Sequence, residues 1–130
     1  MSIGKDLRIL IVDDQLGVRK LLFEAYKNDF KEIFTASSGL EALELTKIHK
    51  PDIIIMDLKM PGMNGIDAIK ELNKSKFQGK IILMTAYGEL DTISKAKELG
   101  LGYYIAKPFD LKELRAILEE ISRMFTNLTA

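Results

Sequence analysis

Asp13, Asp14, Asp57, Thr85 and Lys107 are the residues of this chain whose types and placement suit chemistry. Each follows or closes a short apolar run: LRILIV, DIIIM, IILM and YYIA. In a chain that alternates such runs with helical patterns, the runs read as parallel strands. Residues just past parallel strands gather along one rim of the sheet, where open α/β folds keep their sites. Three carboxylates, one hydroxyl and one ammonium should therefore meet in a single crevice. Three acids that close repel one another, and a bound divalent cation relieves the repulsion. A lysine and a threonine opposite them suit a phosphoryl group carried on one of the acids.

The elements that must position these residues follow from apolar periodicity. The first strand is expected at Leu7–Val12. A helix follows in which Val18, Leu21, Leu22, Ala25 and Tyr26 fall on one apolar face. A weaker strand is expected at Glu32–Ala36. The second helix starts after Ser37 and Ser38, both good N-cap residues, and runs to about His49. Strand three is expected at Asp52–Met56, helix three at Ile66–Lys74 after a loop with Pro61, Gly62 and Gly65, and strand four at Lys80–Met84. Helix four is expected at Glu89–Leu99, stopped by Gly100, and strand five at Gly102–Ile105. Asp110 and Glu113 have the spacing of a capping box for helix five, which should bury Leu111, Leu114, Ile117, Leu118 and Ile121. The strands before Asp13, Asp57 and Thr85 are apolar almost throughout, as expected when helices cover both faces of a sheet.

Composition narrows the function classes. The chain has 130 residues, suited to one domain with a substantial core, and 47% are apolar. Lys+Arg and Asp+Glu are equal at 19 each, so the formal net charge is zero and no basic face for nucleic acid is indicated. The absence of cysteine excludes disulfides, thiolate metal sites and cysteine nucleophiles. No run approaches the ~20 apolar residues of a membrane span, and the first residues have no signal-peptide pattern. A cytoplasmic protein is the expectation. No repeat, linker or low-complexity stretch is visible, and the chain ends soon after helix five, so a single domain over residues 1–130, with its core at about 7–125 and no output domain, is expected.

The order IVDDQ, MDLKMPGMNG, MTAYGE and AKPF resembles the receiver domain of bacterial two-component response regulators, from about Leu7 to Phe125. Four ordered motifs at matching strand ends are a specific signal. More narrowly, VDDQ-x-G, MDLKMPGM, ILMTAYGELD and AKPFD are similar to the single-domain regulators of sporulation phosphorelays. The resemblance implies a doubly wound (βα)5 flavodoxin-like fold with sheet order 2-1-3-4-5. It implies that Asp57 is phosphorylated from a histidine kinase and that Asp14 and Asp57 bind Mg²⁺ directly, with Mn²⁺ a substitute. Asp13 would bind through water and the Lys59 carbonyl would add another oxygen. It implies a cis Lys107–Pro108 bond, Thr85 as the hydroxyl that moves on activation, and Tyr104 as a switch aromatic. The partners implied are the kinase's dimeric phosphotransfer domain and a histidine phosphotransferase. Gln15, Leu16, Gly17, Val18, Leu21, Pro108 and Phe109 should border the crevice and dock a partner's helices.

Each motif also has a simpler reading. Asp13 and Asp14 could cap helix one, since acids suit a helix N-terminus, but one acid suffices for that. Asp57 could be a turn residue, and Lys107 an ordinary surface lysine. Tyr104 could serve only the core. His49, the single histidine, is expected on the surface, and the methionines in the core or loops. A chemotaxis-type regulator that binds its target directly is an alternative to a relay. A phosphatase of the haloacid-dehalogenase type would want an acid where Lys59 stands. A flavodoxin-like cofactor protein would want a phosphate-cradling loop where DDQLG stands.

Overall fold

The computed structural model describes residues 2–86 and 90–129. The expected start of helix four at Glu89 lies outside them, as do Tyr87 and Gly88. The described elements are β1 (Gly4–Val12), α1 (Leu16–Tyr26), β2 (Phe30–Ala36), α2 (Gly39–His49), β3 (Ile53–Asp57), α3 (Gly65–Lys74), β4 (Lys80–Ala86), α4 (Leu90–Glu98), β5 (Tyr103–Lys107) and α5 (Leu111–Thr129). The sheet is parallel, in the order β2-β1-β3-β4-β5. This is the doubly wound fold expected, with the chain crossing from one side of β1 to the other at the point where such folds open a crevice.

Alternate residues of the central strands feed opposite layers, as the two-residue side-chain period requires. Leu10, Val12, Ile54, Met56, Ile81 and Leu83 pack beneath Ala42 of α2, Ala68, Ile69 and Leu72 of α3, and Ala96 of α4. On the other face, Ile9, Ile11, Ile53, Ile55, Ile82 and Met84 pack against Leu22 and Tyr26 of α1 and Leu114, Leu118 and Ile121 of α5. Local signals set the helix ends. Ser38 Oγ accepts the Glu41 N–H at 3.1 Å, and Glu41 reaches back to the Ser37 N–H at 2.9 Å. Asn64 caps α3 through the Asp67 N–H. Asp110 stands immediately before α5, as the capping pattern expects, but its carboxylate accepts the Lys112 N–H at 2.8 Å rather than the Glu113 N–H, which bonds the Asp110 carbonyl. Gly100 closes α4 at φ +92°, a left-handed position that glycine adopts without a Cβ clash.

Several expectations need correction. Strands β3, β4 and β5 run one or two residues beyond the expected ends, because their parallel pairing continues through Asp57↔Met84, Thr85↔Ala106 and Ala86↔Lys107. The chemical residues Asp57, Thr85 and Lys107 therefore lie within the strands. Pairing of Gly4 with Phe30 likewise starts β1 and β2 earlier than the apolar runs do. Leu21 is 51% exposed, since Leu22 and Tyr26 occupy the sheet-facing line of α1 and leave Leu21 beside it. Leu111, in the first turn of α5, is also exposed; its carbonyl accepts the Tyr26 hydroxyl at 3.0 Å. His49 is half-buried and stacks on Phe34, with ring centroids 4.0 Å apart.

Candidate functional site

Strand register brings the acids together. Val12 pairs with Met56, so Asp13 and Asp57 leave adjacent strands side by side. Asp13 is fully buried and Asp57 is 8% exposed, whereas Asp14 is exposed. One oxygen from each of the three carboxylates lies within 4.8 Å of the others. Lys107, two strands beyond β3, spans the rim: its ammonium is 2.6 Å from Asp13 Oδ2 and 3.4 Å from Asp57 Oδ2. The Lys107–Pro108 bond is cis, as the resemblance implies. Thr85 is buried on β4, one residue past the partner of Asp57 and between the strands that carry Asp57 and Lys107.

Asp13 is held from four directions. Its N–H donates to the Ala36 carbonyl at 3.1 Å, and Oδ1 accepts the Gln15 N–H at 2.9 Å. Oδ2 takes the Lys107 bond. Its carbonyl accepts Arg19 Nη1 at 2.7 Å. Arg19 was not anticipated. Its position one turn into α1 is a weak signal, because the acceptor is a backbone carbonyl, which leaves no trace in side-chain type.

The electrostatics remain unbalanced. Burial pushes the Asp57 carboxyl up from its ordinary range; Lys107 opposes this, Asp13 adds to it, and the Lys59 N–H bonded to the carboxylate opposes it. Burial would lower Lys107, but its hydrogen bond to Asp13 and the charges of Asp57 and Asp13 outweigh that, so its pKa rises and it stays charged. One ammonium thus faces three carboxylates, two of them buried. An all-oxygen anionic set at this spacing fits a hard divalent cation.

Residues 9–119 match the family described as the response regulator receiver domain. The chain is a receiver domain. It is 42% identical over 120 residues to sporulation initiation phosphotransferase F of Bacillus subtilis, covering 92% of this chain and 97% of that one. It is 43% identical over 112 residues to regulatory protein AtoC of Escherichia coli, covering 86% of this chain but only 24% of that longer one. Among solved structures, the REC domain of AraT, a response regulator from Geobacillus stearothermophilus, superposes with a TM-score of 0.86 at 27% identity, covering 95% of this chain and 98% of that one.

Around the receiver's crevice the remaining candidates divide. Gln15, Leu16 and Gly17 are exposed at the start of α1, Leu16 to 54%, and Pro108 is exposed beyond β5. Val18 and Phe109 are half-buried against the α1–α5 layer, so packing claims much of both side chains. Tyr104 is half-buried against the opposite layer, and its hydroxyl donates to the Leu101 carbonyl. Lys59 is exposed on the loop after β3. Among the described residues no helix is long and apolar enough to cross a membrane.

Proposed function

We propose that this receiver works in the cytoplasm as a relay intermediate. It takes a phosphoryl group from a kinase phosphohistidine onto Asp57 and passes it to a histidine phosphotransferase. The observation that carries this reading is the convergence of three carboxylates and Lys107 at one point of the sheet rim. In the forward step an Asp57 carboxylate oxygen attacks phosphorus. The P–N bond breaks, its electron pair stays on the donor imidazole, and an acyl phosphate forms. Transfer to the second histidine is the same exchange reversed. Asp13, Asp14 and Asp57 would hold Mg²⁺, with the Lys59 carbonyl a further oxygen; when bound, the ion supplies positive charge for the phosphoryl oxygens. Lys107, 2.6 Å from Asp13 and 3.4 Å from Asp57, neutralises further charge. Thr85 offers its hydroxyl to a phosphoryl oxygen, and Tyr104 adjusts its packing in response.

The relay rather than a terminal role is supported by the match over nearly the full length of both chains with a protein named as a phosphotransferase of sporulation initiation. The exposed Leu16, Leu21 and Pro108 beside the crevice give a partner helix an apolar landing strip. Labelled phosphoryl supplied on a sporulation-type histidine kinase should move onto this protein and then onto a four-helix phosphotransferase. Leu16→Ala should slow transfer from the kinase roughly tenfold, the loss of one interface anchor of about 1.4 kcal/mol. The same variant should take phosphoryl from acetyl phosphate at the wild-type rate. Label that reaches the receiver but never leaves for a histidine would sink the relay and leave the acceptor role standing.

A further inference from the structure

A cavity of about 720 Å³ opens at the rim opposite the acid cluster, between the C-terminal ends of α2 and α3. Leu43, Leu72, Phe77 and Phe125 give it apolar walls, and Lys47, Lys50, Lys74 and Lys76 line it as well. Its lining acids are two, Asp52 and Glu71, against four lysines, and among the described residues only Glu71 of the two is paired with a cation. Asp52 accepts the Arg8 N–H at 2.8 Å, and Glu71 pairs with Lys74 at 3.3 Å.

Two of the lysines sit on unusual backbone. Lys50 (φ +48°) and Lys76 (φ +60°) are the positive-φ residues other than glycine among those described, and both line this cavity. The left-handed turns close helix ends: the Lys50 N–H bonds the Thr46 carbonyl, and the Lys76 N–H bonds the Asn73 carbonyl. Glycine would make such turns without a Cβ penalty. Lysine makes them only against the crowding of its Cβ on the following carbonyl oxygen, and places two cations at the mouth of an apolar cavity of ligand size.

We infer that this cavity binds a small amphipathic organic anion, with its apolar body against Phe77 and Leu43 and its charge toward Lys47, Lys50 and Lys76. An anion with no apolar body would leave the walls unused, and a cation would meet the lysines.

Octanoate is a suitable probe, with octylammonium as the same tail of opposite charge and inorganic phosphate as charge alone. Binding to the full chain would be followed by amide NMR shifts. Octanoate should shift the Gly79, Lys50 and Lys76 amides saturably, and the other two probes should not. The double variant Lys50→Gly, Lys76→Gly keeps the turns and removes the cations, so thermal unfolding should confirm an intact fold. Its affinity for octanoate should fall roughly five- to tenfold, the effect of two partly screened charges. Equal binding of octylammonium, equal binding of phosphate, or octanoate affinity unchanged in a folded double variant would each overturn the inference. So would octanoate shifts confined to residues outside the cavity.

Discussion

Asp52 and Asp57 stand at the two ends of β3, and the fold treats them oppositely. Asp52, just before the strand, is tied into the sheet through its N–H, its carbonyl and one carboxylate oxygen. Its carboxylate and its carbonyl accept the Arg8 and Lys80 N–H groups, at 2.8 and 2.9 Å, and its own N–H donates to the Arg8 carbonyl at 2.8 Å. It staples β1, β3 and β4 together with neutral partners. Asp57, the last residue of the same strand, accepts the Lys59 N–H and lies 3.4 Å from Lys107, yet burial and Asp13 still hold its charge in deficit. A structural carboxylate is satisfied by the fold. The carboxylate proposed as phosphoryl acceptor is left with an electrostatic deficit that a bound cation would relieve.

The comparison can be broken most forcefully at Lys107. Lys107→Ala strips the ammonium from buried Asp13 and Asp57, and breaking a buried pair in this way costs about 3 kcal/mol. Urea denaturation in chelator should register that loss, and added Mg²⁺ should recover part of it. If stability is unchanged in chelator, Lys107 is not the charge that holds the rim together.

At the other end of β3, Asp52→Ala orphans the Arg8 N–H. It should cost about 1–2 kcal/mol in the same denaturation, with or without Mg²⁺, while acetyl phosphate labelling stays at the wild-type rate. A metal-dependent stability loss would erase the distinction between the two ends.

The smallest expected effect on stability has the opposite sign. Because the folded-state pKa of Asp57 is raised, its stabilising contribution is fully present only below the ordinary carboxylate pKa and is lost as pH rises through the folded value. Asp57→Asn escapes that loss. In chelator the variant should therefore be more stable than wild type at neutral pH, and the gap should close on acidification. A variant less stable at neutral pH would mean that Lys107 compensates Asp57 fully.

Much of the fold was legible because apolar runs and helical periodicity report burial directly. The runs before Asp13, Asp57 and Thr85 became β1, β3 and β4, and the acids and the lysine met at one rim. What could not be read rests on backbone groups or distant partners. Strand ends were misjudged because pairing outlasts the apolar run, as at Ala86↔Lys107. Leu21 and Leu22 are the same residue type one position apart, and only the phase of α1 against the sheet decides which is buried. Arg19 serves a carbonyl, and Asp52 serves an N–H 44 residues away; neither acceptor nor donor has a side-chain signature. The stacking of His49 on Phe34 joins α2 to β2, a contact that a surface reading of a lone histidine misses.

The central claim is that Asp57 is the phosphoryl acceptor of a rim built by Asp13, Asp14 and Lys107. It is tested most directly by treating the protein with acetyl phosphate and Mg²⁺ and locating the adduct by mass spectrometry. One phosphoryl group is expected, on Asp57, absent when the metal is chelated and absent in Asp57→Asn. A phosphoryl group mapped to another residue, or label on Asp57→Asn at the wild-type rate, would contradict it.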